Sequence, residues 1–147
     1  MSLGALESRV ARHPDDIVAT RVLLRRYLDH GMTRLVVDTA HRAPEGARRD
    51  GAVILVMARA HEALGQVDVA YAITQGALSR CGSVPPGLAD GIGCDVRTQT
   101  ALAFEAAALE RMRSWGVTPV SDPARASLAH EFAARPVRIT ARGPSGP

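Results

Sequence analysis

Five histidines are the side chains of this 147-residue sequence best suited to proton transfer near neutral pH. They are His13, His30, His41, His61 and His130. His30 precedes a predicted turn glycine, and His41 and His130 lie in predicted helices without an evident serine, cysteine or aspartate partner. The chain contains no G-x-S-x-G, H-E-x-x-H, P-loop or G-x-G-x-x-G motif. We therefore predict no catalytic residue, no cofactor and no metal site, and we interpret His61 as a packed side chain.

Two cysteines, Cys81 and Cys94, flank a segment rich in glycine and proline. A disulfide between them would pin this predicted loop and stabilise the fold by about 3 kcal/mol. Disulfides persist in oxidising compartments, and the sequence shows no export signal. Free thiols in a cytoplasmic protein are therefore favoured, and the disulfide is the alternative. A structural zinc site is disfavoured because it needs four ligands.

Arginine supplies all 18 basic side chains, because the sequence contains no lysine. The net charge is only +3, and the arginines are scattered among acidic residues, so nucleic-acid binding is not expected. No apolar run reaches the roughly 18 residues of a membrane span. Hydrophobic residues make up 46% of the chain and aromatic residues 3%, which favours closely packed helices with small aliphatic side chains.

Helical periodicity, interrupted by glycine, proline and capping residues, predicts an all-α chain. We expect an N-terminal capping helix in residues 1–14 and two helical hairpins in residues 15–82. A Gly/Pro-rich loop should occupy residues 83–94, and a helix pair residues 95–135. Residues 136–147 are predicted to be a flexible tail, with a short extended stretch at "VRIT".

The sequence predicts that the two hairpins repeat one unit. Gly31 and Gly65, each at a predicted helix end, lie 34 residues apart. At the same shift Arg25 aligns with Arg59. Further aligned pairs are Asp16 with Asp50, Leu23 with Met57, Tyr27 with His61, and Ala43 with Ala77. A helix–turn–helix unit of 34 residues has the period of the tetratricopeptide repeat.

The chain resembles the tetratricopeptide repeat family over about residues 15–82. The resemblance implies antiparallel helix hairpins stacked as a short α-solenoid of about six helices, in which residues 95–135 form a diverged third hairpin or a cap. It also implies a partner-binding groove on the exposed side of the first helix of each hairpin. Carried over by position, this groove comprises Arg21, Arg25, Leu28, Asp29, Leu55, Arg59 and Glu62.

Arg25 and Arg59 occupy the same position in successive repeats and should lie on one wall of the implied groove. Such a pair can hold a carboxylate through bidentate hydrogen bonds. Alternatively, both arginines are solvated or pair with Asp29 and Glu62. The family's peptide-carboxylate clamp uses lysine and asparagine, and this chain has neither. We expect a non-catalytic module that binds a peptide or protein, and an acidic ligand is one candidate. A homo-oligomerising structural subunit and a secretion or assembly chaperone are the alternatives.

Overall fold

A computed structural model describes residues 1–135, apart from the side chains of Pro86 and Asp90. The tail predicted for residues 136–147, with its extended stretch, lies outside the described residues. Within residues 1–135 the structure contains eight α-helices and no strand, which confirms the all-α prediction. The helices are α1 Leu3–Arg12, α2 Ile17–Asp29, α3 Thr33–Arg42, α4 Glu45–Arg48, α5 Gly51–Ala63, α6 Val67–Gly82, α7 Val96–Trp115 and α8 Pro123–Ala134.

The eight helices exceed the predicted number of about six. One of the additional helices is α1, the predicted N-terminal cap. The other is α4, a single turn between the two predicted hairpins, which the sequence analysis did not predict. Pro44 stands at the N-cap of α4, where its missing N–H costs no helical hydrogen bond. The predicted loop contains two short 3₁₀ turns, Pro86–Leu88 and Asp90–Ile92.

Acidic side chains fix the first residue of four helices. Each accepts a hydrogen bond from the backbone N–H three residues ahead, which satisfies a donor that has no partner inside the helix. These N-caps are Asp16, Asp50, Asp95 and Asp122. Thr33 is the first helical residue of α3, and Met32 precedes it without a side-chain capping bond. The Met32 N–H donates to the Tyr27 carbonyl of α2 and closes the turn. Helix α3 therefore begins at the next residue.

The glycines between paired helices adopt left-handed backbone conformations. Gly31, Gly65 and Gly116 have φ angles of 73°, 82° and 67°. After each glycine, the next N–H bonds back to a carbonyl of the preceding helix. The prediction that Gly31 and Gly65 end helices is therefore confirmed.

Neighbouring helices pack in chain order around three apolar clusters. α2 contacts α1, α3 and α5, while α5 also contacts α3, α6 and α7. α7 contacts α6 and α8. Leu24 and Val36 lie in the first cluster, Leu109 and Met112 in the second, and Leu102 in the third. The second cluster joins α5, α6, α7 and α8, so α8 is anchored to the rest of the fold.

The end of α7 adds an aromatic contact to this anchorage. The Trp115 ring meets the Phe132 ring of α8 edge to face, with 6.1 Å between centroids. The Arg125 guanidinium lies 5.4 Å from the centre of the same Trp115 ring. None of the helices within residues 1–135 is both long and apolar enough to cross a membrane.

Candidate functional site

The predicted groove of the first hairpin is only partly a surface feature. Arg25 and Asp29 are exposed, whereas Leu28 is half-buried and packs against the cluster formed by α1, α2, α3 and α5. An open pocket of about 360 Å³ follows the exposed face of α2. Val18 and Val22 also line it and are 64% and 44% exposed. We call this surface the α2 pocket.

Arg21 borders the α2 pocket, but its guanidinium is engaged by a buried carboxylate. Its Nε donates to Asp50 Oδ2 at 2.9 Å, and its Nη2 donates to Asp50 Oδ1. The Asp50 side chain has 0% exposure and also accepts from the Val53 N–H at 3.1 Å. The hydrogen bond to Asp50 raises the pKa of Arg21. Arg21 therefore fastens α2 to the start of α5, a role that the groove prediction did not include.

The predicted groove positions of the second hairpin are largely covered by later helices. Leu55 is only 6% exposed and belongs to a cluster with Leu102 of α7. Its assignment to an open groove is wrong, because α7 packs directly against α5. The Arg59 side chain remains 45% exposed, whereas that of Glu62 is 13% exposed.

Glu62 belongs to a polar cluster that draws on three helices. Glu62 of α5, Glu105 of α7 and His130 of α8 together form the carboxylate–histidine cluster. His130 Nε2 lies 2.7 Å from Glu62 Oε2, and Arg59 Nε lies 3.9 Å from Glu105 Oε1. Nitrogen and oxygen atoms from the three cluster residues fall within 4.8 Å of one another. In the described part of the chain, no other group of three or more His, Cys, Asp or Glu residues converges in this way.

If both carboxyl groups of this cluster ionise, two negative charges repel each other in a buried site. The Glu105 side chain is 3% exposed, and burial, with the hydrogen bond and charge of Glu62, raises the pKa of Glu105. Burial also opposes ionisation of Glu62, but its hydrogen bonds with His130 and Glu105 outweigh that effect and lower the pKa of Glu62. When both groups are ionised, Glu62 Oε1 and Glu105 Oε2 lack a hydrogen-bond donor. A shared proton or a bound cation satisfies them.

Sequence reasoning found Arg59 and Glu62 but missed Glu105 and His130. Glu62 and His130 are 68 residues apart, and no local pattern joins them. One signal was available: Glu105 lies between Leu102 and Leu109 on the apolar face of a predicted helix. A carboxylate at such a position is rarely buried without a specific partner.

The segment that leads to Cys94 lies against the first turn of α5. A disulfide joins Cys94 to Cys81 in the last turn of α6. Gly93 has a φ angle of 68°, and a Cβ there would lie 2.6 Å from Gly51 N. A Cβ on Gly51 would overlap the Gly93 carbonyl oxygen. Only glycines fit this contact, and the disulfide holds the loop beside it.

Replacing Glu105 with glutamine is expected to stabilise the protein at alkaline pH, in EDTA so that no metal ion can bind the carboxylates. The pKa of Glu105 is higher in the folded state than its ordinary value of 4.5. The stability that this shift contributes is complete below the unfolded pKa and is lost as pH rises through the folded pKa. Glutamine cannot ionise, so the melting-temperature advantage of Glu105→Gln over the unsubstituted protein should grow between about pH 5 and pH 9. Thermal denaturation followed by circular dichroism measures it, and a pH-independent difference would contradict the assigned shift.

Comparison with known proteins returned no matching family model, no similar curated protein and no similar solved structure. The functional interpretation therefore rests on the residues of this chain.

Proposed function

We propose that this chain is a non-catalytic protein-interaction module built as a short tetratricopeptide-like stack of three helical hairpins. The order of the helix contacts supports this arrangement. α2 with α3, α5 with α6, and α7 with α8 are the pairs, and the first helix of each pair also contacts that of the next. A glycine in the left-handed backbone conformation separates the two helices of each pair. Helix α1 packs on α2 and would cap the N-terminal end of the stack.

The α2 pocket carries this proposal, because it combines exposed apolar surface with an available cation. Val18 and Val22 offer apolar contacts, and Arg25 stands beside them on the same helix. Unlike Arg21, Arg25 forms no ion pair with an acidic side chain within residues 1–135. A segment with apolar residues and a carboxylate would satisfy all three side chains.

The proposed ligand is therefore an acidic, partly apolar segment of a partner protein. The net charge of +3 favours its approach. The sequence hypothesis placed two equivalent arginines, Arg25 and Arg59, on one groove wall. Arg59 instead lies near the buried Glu105, so the proposal assigns carboxylate recognition to Arg25.

Selection of peptides from a random displayed library tests this assignment. Peptides that bind the full chain should be enriched in Asp and Glu, and Arg25→Glu should weaken their binding by about tenfold or more because it replaces attraction by repulsion. Fluorescence anisotropy measures the affinities. Arg34→Glu is the matched control, because Arg34 is an exposed arginine on α3 and makes the same charge change.

Two results would overturn the proposal. The first is a selected set without acidic enrichment, and the second is equal binding by Arg25→Glu and Arg34→Glu. Sedimentation velocity tests whether the chain associates with itself through the α2 pocket. A dimer of the unsubstituted protein that Val22→Asp converts to a monomer would replace partner binding with the homo-oligomeric alternative.

A further inference from the structure

The structure assigns a divalent transition-metal site to the carboxylate–histidine cluster of Glu62, Glu105 and His130. This inference is independent of the α2 pocket and of any partner that binds there. It also differs from the sequence prediction, which expected no metal site. The reason is that the three residues come together only when α5, α7 and α8 pack.

The first argument is the state of the two carboxylates. The Glu105 side chain is 97% buried, since only 3% of it is exposed, and with both carboxyl groups ionised its Oε2 has no hydrogen-bond donor. Glu62 Oε1 is also buried and lacks a donor in that state. Buried polar atoms are nearly always satisfied, and a carboxylate oxygen left without a donor is costly. A cation between the two groups would satisfy both oxygens and neutralise their charges.

The second argument is the chemistry of the donor set. Two carboxylates and one imidazole suit Zn²⁺ and neighbouring first-row ions, whereas Mg²⁺ and Ca²⁺ prefer oxygen ligands throughout. Three protein ligands leave a coordination position for water. The His130 side chain is 42% exposed, which provides a path from solvent to the cluster.

The third argument is that the cluster needs little movement to bind an ion. Its ligand atoms lie within 4.8 Å of one another. Tetrahedral Zn²⁺ with bonds of about 2.1 Å places its ligands roughly 3.4 Å apart. The largest separation must shrink by no more than about 1.4 Å, and the 2.7 Å contact of His130 Nε2 with Glu62 Oε2 must lengthen, so side-chain rotations of this size would form the site.

Arg59 acts on this site from outside the ligand set. Its Nε lies 3.9 Å from Glu105 Oε1, the oxygen opposite the unpartnered Oε2. At this distance it attracts the Glu105 carboxylate, but its positive charge opposes a second cation. Arg59→Gln should therefore tighten metal binding. In a simple ion-pair network, by contrast, the loss of the arginine would weaken the cluster.

Calorimetric titration of the EDTA-treated full chain with Zn²⁺ tests the site. We expect one Zn²⁺ per chain, and Co²⁺ in its place should give visible ligand-field absorption. Glu105→Gln and His130→Ala should each weaken Zn²⁺ binding by about 10- to 100-fold or more. His30→Ala is the matched control, because His30 is exposed and outside the cluster. Mg²⁺ at the same concentration should not compete.

Neither the two cysteines nor the side chains of residues 136–147 can account for this pattern. Cys81 and Cys94 are joined in a disulfide under the non-reducing conditions of the titration. Residues 136–147 contain no His, Cys, Asp or Glu side chain. Circular dichroism checks that each variant is folded. If Glu105→Gln does not fold, His130→Gln decides the question, because its side chain lies near the surface.

The proposal is overturned if Zn²⁺ does not bind stoichiometrically. It is also overturned if Glu105→Gln, or His130→Gln where that variant decides, binds Zn²⁺ as tightly as the unsubstituted chain. Equal losses in His30→Ala and His130→Ala would point to adventitious surface histidines and would likewise reject the site.

Discussion

Replacing Arg21 with alanine is expected to lower the free energy of unfolding by about 3 kcal/mol. The same change at Arg25, one turn later on α2, should cost less than about 0.5 kcal/mol. Arg21 neutralises Asp50, whose side chain is 0% exposed. Removing the Arg21 side chain leaves the buried Asp50 carboxylate with only the backbone at the start of α5 to stabilise its charge. Urea denaturation followed by circular dichroism measures both variants.

A double-mutant cycle isolates the Arg21–Asp50 interaction. The combined Arg21→Ala and Asp50→Ala variant should be less destabilised than the sum of the single variants, because it contains no unpaired buried charge. Asp50 also caps α5, so Asp50→Ala alone carries the additional loss of the Val53 N–H bond. Equal stabilities of the Arg21→Ala and Arg25→Ala variants would refute the structural role of Arg21.

Loss of the disulfide has a comparable expected effect. Replacing both Cys81 and Cys94 with serine should lower the free energy of unfolding by about 3 kcal/mol, since the bond closes a loop across a sequence separation of 13. The loss should also destabilise the start of α5 locally, because Gly93 packs against Gly51 there. Urea denaturation gives the global effect, and amide hydrogen exchange in the first turn of α5 gives the local one.

Reduction supplies the control for this prediction. Dithiothreitol should destabilise the unsubstituted protein by about the same amount and leave the double-serine variant unchanged. A thiol count of two on protein purified without reductant would contradict the bond. The count also bears on location, because disulfides persist in oxidising compartments while the sequence predicted a cytoplasmic protein.

Local signals explain why the helices were predictable. Asp16, Asp50 and Asp95 cap helices in the structure, and Gly31 and Gly65 end them, because these residues act on backbone groups only a few positions away. The errors at this level are small. α4 was missed because a single turn has no apolar periodicity to reveal it.

The site was less predictable because its contacts join distant parts of the chain. Arg21 and Asp50 are 29 residues apart, and the sequence analysis treated them separately, Arg21 as a groove residue and Asp50 as the repeat partner of Asp16. Leu55 was placed in a groove because residues 95–135 lay outside the repeat match, so the resemblance did not show which face of α5 the helix α7 would cover. His130 was judged alone for the same reason.

The contact between Trp115 and Phe132 gives the chain an intrinsic optical probe. Trp115 is the single tryptophan, and both Phe132 and Arg125, which flank its ring, belong to α8. Its emission should respond when α8 shifts on α7, whereas events confined to α2 should leave it unchanged. Because α8 also carries His130, the fluorescence of unlabelled protein can report whether metal binding at the carboxylate–histidine cluster changes the surroundings of Trp115 at the end of α7.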